Sequence, residues 1–228
     1  MRMLDGWESG DMACEQTTPL AGENPFPERI GERLRQQLAF LIEADRLKTV
    51  LRRSLLAAAD RRENDAEHSW HLALMAVVLA EYADEPVDVG RVVQLVVLHD
   101  LVEIYAGDTF LYDDVMAASQ QERENAAAEV LFGMLPSGQG THLRGLWDEF
   151  EARQTPESRF AKALDRLEPI LLNWMARGGT WRAPGVTAPA IRERTSMIGD
   201  ASAVLWDAGR ALIDESERRG WARPGPPQ

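Results

Sequence analysis

The chain has 228 residues, one cysteine, and 37 acidic against 25 basic side chains, a formal net charge of −12. One cysteine excludes an internal disulfide and fits a reducing cytoplasm. The acidity argues against a nucleic-acid polymer or an anionic membrane as partner, because such partners attract basic surfaces.

No membrane span is expected. The longest apolar run, 92–104, is broken by Gln94, His99, Asp100 and Glu103, short of the ~18 apolar residues that a span needs. Residues 1–26 read as a tail, with Gly6, Gly10, Pro19, Gly22 and Pro25 and no sustained period; Asp5, Glu8 and Asp11 interrupt any leader-like run. The expected address is the cytoplasm. Residues 219–228 read as a second tail, leaving one domain over 27–218.

Between the tails the hydrophobic period is helical. Pro27 opens a first expected helix, with Ile30, Leu34, Leu38, Leu41 and Ile42 on one face. A basic stretch follows, with Arg46, Lys48, Arg52, Arg53, Arg61 and Arg62. A helix is expected over 66–82, and another over 89–105 with Asp88 as its cap. The latter is valine-rich but too long for a typical strand. Residues 107–116 read as a loop. Ser119 and Glu122 form an expected capping box for a helix reaching Leu135. Pro136, Gly138 and Gly140 mark a turn. Helices follow over 143–151 and 157–177, then a Gly/Pro loop, then a last helix from Thr187 to about Arg218. No hairpin signal is found. The expectation is an all-α bundle of about seven helices in one domain.

Three pieces carry chemistry. An apolar helix that buries His99, Asp100 and Glu103 faces a large solvation penalty, which pairing or a metal offsets. Imidazole with carboxylate suits a divalent transition metal. His68 stands at the entry of the preceding expected helix. Asp165 lies in an apolar stretch (Phe160, Leu164, Leu167, Ile170, Leu171), where an ion pair with Lys162 or Arg166 is the alternative to a ligand role.

In order and spacing, these pieces resemble the HD-domain superfamily of metal-dependent phosphohydrolases. They are most similar to its branch of bacterial 5′-deoxynucleotidases and eukaryotic HD-domain relatives. The similarity includes Leu47-Lys48 with Arg53, Glu63-Asn64 with Glu67-His68-Ser69-Trp70, and His99-Asp100 with Glu103 and Gly107-Asp108-Thr109. Leu146–Glu151 and Ala163-Leu164-Asp165 extend it. The resemblance implies an HD helical bundle and one divalent cation (Mn, Co, Mg, Fe, Ni or Zn) on His68, His99, Asp100 and Asp165. It implies a phosphomonoesterase acting on (deoxy)nucleoside 5′-monophosphates by attack of a metal-bound water. Glu103 and Asp108 would be the acid/base residues and Arg53 the phosphate-binding arginine. A small phosphorylated substrate and a homodimer are the implied partners, with Trp174 and Trp206 as contact or core residues.

Ser54 stands where the deoxynucleotidases carry a tryptophan after that arginine. Residues 110–114 lack the prolines of some relatives. His71 reads as a helix-face residue. A di-iron oxygenase would need more histidines than His142 between the His-Asp pair and Asp165. A non-catalytic nucleotide-binding or regulatory HD module is the alternative function.

Charge is unevenly placed. Residues 66–110 hold Glu67, Glu81, Asp84, Glu85, Asp88, Asp100, Glu103 and Asp108 against Arg91 alone. This is the expected cation cradle, preceded by a basic stretch that would admit a phosphate.

Overall fold

The computed structural model describes residues 24–225; most of the expected N-terminal tail, and residues 226–228, lie outside the described residues. Helices dominate, as expected. The first is shorter than its apolar period suggests. Gly31, with a left-handed φ of 85°, separates a 3-10 turn at Glu28–Ile30 from α1 (Glu32–Ala44). The expected apolar face of α1 is also corrected. Ala39, Phe40 and Glu43 are buried, while Leu34, Leu41 and Ile42 are exposed. The Tyr105 hydroxyl and the Arg46 guanidinium both donate to Glu43 Oε1, at 2.8 and 2.5 Å. These bonds turn a carboxylate inward at the expense of the leucine face.

The basic stretch holds a 3-10 turn (Asp45–Thr49) and an antiparallel hairpin of β1 (Leu51–Leu55) and β2 (Arg62–Asn64). The expectation of no strand pair is therefore wrong. Leu51 pairs with Asn64 and Leu55 with Arg62, with an irregular register between. A ladder this short leaves too little alternation to read from sequence.

The hairpin delivers Asn64 to the start of α2 (Asp65–Leu79). The Asn64 side chain accepts from the Glu67 N–H, and Glu67 accepts from the Asn64 N–H, a complete capping box. Asp88 caps α3 (Val89–Leu98) as expected. The single helix expected over 89–105 is instead three pieces. After α3 comes a 3-10 turn (His99–Val102) and then α4 (Glu103–Ala106). His99 Nδ1–H donates to the Val96 carbonyl at 2.8 Å. It competes there for the acceptor that the Asp100 N–H would use in a continued α-helix.

Beyond the loop lie α5 (Asp114–Ala117), α6 (Gln120–Gly133), α7 (Ser137–Ala152) and α8 (Pro156–Met175). Ser119 precedes α6 but makes no cap bond; its hydroxyl accepts from Arg123 instead. The turn expected around Gly138 and Gly140 is helical. Gly140 is needed for packing, since a Cβ there would lie 2.4 Å from the Phe132 carbonyl oxygen.

The last expected helix is split into α9 (Ala188–Thr195), a 3-10 turn (Ser196–Asp200) and α10 (Ala203–Arg218). The start at Thr187 holds: its hydroxyl caps α9.

Helix α8 is the axis of the core, with Phe160, Ala161, Leu164, Leu167 and Ile170 buried between α2, α3 and α7 on one side and α10 on the other. The expected C-terminal tail is anchored up to Arg223. Trp221 meets Trp174 edge-on at 5.3 Å, Ala222 is buried, and the Ala188 N–H donates to the Arg223 carbonyl at 2.7 Å. Trp174 and Trp206 are half-buried within the chain. No helix among the described residues is long and apolar enough to cross a membrane.

Candidate metal centre and active site

Three elements meet at the floor of one cavity. The first turn of α2 supplies His68, fully buried. The 3-10 turn after α3 supplies His99 and Asp100, and the middle of α8 supplies Asp165. One ligating atom each from His68, His99 and Asp165 falls within 4.8 Å of the others. His68 Nε2 lies 3.2 Å from Asp165 Oδ1 and 4.0 Å from Asp100 Oδ2. His99 Nε2 lies 2.8 Å from Asp100 Oδ1 and 3.9 Å from Asp165 Oδ1. All four expected ligands are thus brought together.

The His99 tautomer follows from its other nitrogen. Nδ1–H is committed to the Val96 carbonyl. Nε2 is buried, has no aligned hydrogen-bond partner, and points into the carboxylates. An orphaned imidazole nitrogen among carboxylates is the donor set of a divalent cation, and these residues fit one. The electrostatics agree. Burial and Arg52 oppose charge on His68, yet hydrogen bonds with Asp165 and Glu168 carry its pKa up to about 10. Without a cation, this pocket draws in a proton. Burial also opposes charge on Asp100, but His99, Arg52 and His68 hold its carboxyl down at about 2. For Asp165, Lys162 and Arg166 outweigh burial and keep the carboxyl well below the usual range. The ion pairs that the sequence offered for Asp165 are present. One oxygen faces the histidines and the other faces Lys162 at 3.3 Å and Arg166 at 3.8 Å.

Glu103 and Asp108 form a second acidic group with Asp65, also within 4.8 Å. These carboxyls are positioned to share protons or hold a cation. Burial, reinforced by Asp100, Asp65 and Asp108, pushes Glu103 well above its ordinary value. Burial likewise raises Asp108, and raises Asp65 to about 7. The left-handed Gly107, φ 75°, ends α4 and turns Asp108 back over the cavity.

Arg53 is not where the motif suggests. It is exposed, with its guanidinium 4.6 Å above the Phe110 ring. Arg52 is the arginine aimed at the floor. Its Nη1 lies 3.1 Å from Asp100 Oδ2 and 3.6 Å from Asp65 Oδ1, and its Nε lies 3.5 Å from Glu63 Oε2. Both line the outer part of the cavity, but only Arg52 reaches the floor.

The cavity has two connected parts. The floor, about 740 Å³, is lined by His99, Asp100, Asp165, Glu103 and Asp108, with Arg52, Lys162, Arg166 and Arg194 as cations, and His68 lies buried behind it. An outer part, about 560 Å³, shares Arg52 and Asp108 but is walled by Arg53, Ser54, Phe110, Tyr112, Ile170 and Trp181.

The HD domain family model matches residues 44–206. This chain belongs to the HD-domain family. The crystal structure of a predicted metal-dependent phosphohydrolase from Magnetospirillum magnetotacticum matches this HD domain with a TM-score of 0.81 and 50% identity, over 88% of this chain and 100% of that one. The 5′-deoxynucleotidase HDDC2 of Bos taurus is 31% identical over 153 residues, 67% of this chain and 73% of the bovine protein. Its Homo sapiens counterpart is 31% identical over 142 residues, 62% of this chain and 68% of the human protein. The chain is an HD-domain hydrolase of the metal-dependent phosphohydrolase type.

Sequence reasoning missed Arg52, Asp65 and the buried Glu168, and gave Glu63 no role. Strand alternation would have been needed to choose between Arg52 and Arg53. Glu168 did carry a signal: it follows Asp165 by three, on the same helix face. The expected cradle over 66–110 was only partly right, because Glu81, Asp84, Glu85 and Asp88 are exposed. Much of the buried acidity comes from Glu63, Asp65, Asp165 and Glu168. His142 is exposed on α7 and His71 contacts Glu168, so neither adds to the ligand set.

Proposed function

We propose that this HD-domain protein hydrolyses nucleoside 5′-monophosphates, deoxy forms among them, to the nucleoside and inorganic phosphate. The observation that carries the reading is the convergence of His68, His99, Asp100 and Asp165 beside Arg52 at the floor of a two-part cavity. Those four residues would hold one divalent cation. When bound, such an ion acidifies water and withdraws charge from phosphoryl oxygens.

The chain's own side chains do the rest. Arg52 supplies a planar fork of donors for two phosphate oxygens, taking over the role expected of Arg53. Lys162 and Arg166 add positive charge on the opposite wall, which stabilises the charge that develops on the transferring group. Burial and its acidic neighbours favour the protonated form of Glu103, which can give that proton to the departing 5′ oxygen. Asp108, at the junction of the two parts, is the second proton-handling group. The outer part, with aromatic and aliphatic walls, suits a sugar and base.

The test is a phosphate-release screen of ribo- and deoxynucleoside 5′-monophosphates with metal-stripped protein and added Mn or Co. Release that requires the cation and is lost in Asp100→Ala supports the reading. Tight nucleotide binding without turnover would point to a regulatory module instead.

We also infer a homodimer, as the resemblance implies. The outer face of α2 leaves Trp70, Leu74, Val77 and Val78 exposed, although the helix is apolar on its inner face as well; a helix apolar all round calls for a second cover. Trp70→Glu is expected to shift the light-scattering mass from dimer to monomer. The single cysteine fits work in the cytoplasm.

A further inference from the structure

Glu168 has no place in the chemistry above, yet it is among the most deeply buried charged groups of the chain, with no exposed surface. A carboxylate removed from water persists only if something holds it. Two histidines do. His71 Nδ1–H donates to Glu168 Oε1 at 3.1 Å, and Glu168 Oε2 lies 3.4 Å from His68 Nδ1. Neither of these two buried atoms has an aligned hydrogen-bond partner elsewhere, and the Glu63 carboxyl also hydrogen-bonds Glu168. Glu63 Oε2 stands on the same side of the ring, farther off at 3.7 Å.

The arrangement comes from two helices in register. His68 and His71 are three apart on α2, and Asp165 and Glu168 are three apart on α8, so each pair shares a face. Across the interface one imidazole is straddled: Asp165 Oδ1 faces Nε2 at 3.2 Å and Glu168 Oε2 faces Nδ1. His71, half-buried at the solvent edge, closes the row behind Glu168.

We propose that Glu168 is the positioning residue of the metal ligand His68. It accepts the Nδ1 proton, so that the Nε2 lone pair and the ring plane are directed at the cation. His71 fixes Glu168 from the outer side. This rests on the metal-centre reading of the site. It matters because His99 gets the same service from a backbone carbonyl, whereas a carboxylate also makes its imidazole a stronger donor.

The experiment measures metal binding apart from turnover. Metal-free wild type, Glu168→Leu, Glu168→Gln and His71→Phe are titrated with Co(II) by calorimetry and by the Co(II) absorption spectrum. Melting of each metal-free protein checks the fold. Loss of an outer-shell partner of this kind weakens affinity by ~10–100-fold. Glu168→Leu is expected to show that loss with an altered spectrum. Glu168→Gln keeps an acceptor and is expected to lose less, and His71→Phe least. If Glu168→Leu does not fold, Glu168→Gln decides. Unchanged affinity and spectrum in the folded Glu168 variants would overturn the proposal. His68→Ala separates the two readings. Binding by wild type, lost in His68→Ala but intact in the Glu168 variants, sinks only the positioning role. No Co(II) bound by wild type sinks the metal centre and this inference together.

Discussion

The floor and the outer wall of the cavity are built on opposite principles. The floor is a set of buried charges, each held by others: Asp100 by Arg52 and His99, and Asp165 by Lys162, Arg166 and His68. Its members come from β1, α2, the 3-10 turn after α3, α4 and α8. The wall is a set of side chains resting on one another: Arg53 on Phe110 and Phe110 on Tyr112 at 5.2 Å, with Arg194 reaching over Tyr112 from the floor. A change in the floor leaves a buried charge unpaired and disturbs every substrate alike. A change in the wall alters one contact and should show in the preference among substrates.

Four measurements sharpen that contrast. The largest effect is expected for Asp100→Ala, which removes a proposed ligand and the nearest anchor of Arg52. Phosphate release should fall to the level of metal-free protein for every nucleotide tried. Next is Glu103→Gln, which keeps the shape and removes the transferable proton. A kcat loss of ~10²–10⁴ with little change in KM is expected. If kcat holds, Glu103 is not the proton donor.

The third is a pair on one strand. Arg52→Ala should lower kcat/KM by ~10²–10³ for all substrates. Arg53→Ala gives up a cation–π contact of about 0.5–1 kcal/mol and should change KM only a few-fold, unequally among bases. Equal losses in the two variants would abolish the distinction between floor and wall.

The smallest effect is on stability. Burial pushes the Glu63 carboxyl up to about 8. The folded, metal-free protein therefore holds a proton that the unfolded chain releases near 4.5. Its stability must fall as pH rises between those values. Glu168 has the opposite sign. Burial opposes its charge, but His68 and His71 hold it down at about 2, so its contribution is lost as pH falls below the ordinary carboxyl range. Glu63→Gln should flatten the decline of Tm between about pH 4.5 and 8 and leave the loss below that range, which belongs to Glu168, in place.

The same contrast explains what could be read beforehand. The cluster of four was legible because His68, His99-Asp100 and Asp165 stand in a fixed order, and an apolar helix has few reasons to bury a His-Asp pair. The capping of α2 by Asn64 and the break after Leu98 were not legible. Both depend on side-chain hydrogen bonds to the backbone, which leave no hydrophobic period. The inward turn of Glu43 escaped for a related reason: its partner Tyr105 is far along the chain. The wall was the least legible part. It draws on the hairpin, the 108–112 loop, the 3-10 segment Gly179–Arg182 and the end of α9, none of which has a pattern beyond its own few residues.

Arg52 and Arg53 share one strand, and only Arg52 reaches the acids of the floor. Removing one residue ahead of Leu51 would slide the strand by one step and bring Arg53 to the place that Arg52 now holds. Ser54 would then stand over Phe110, and the acids would keep an arginine. Which arginine faces the acids thus depends on the count of residues between the Asp45–Thr49 turn and β1. Homologous chains that differ there by one residue should carry their inward arginine one position away. An alignment that maximises matching letters can slide past that offset.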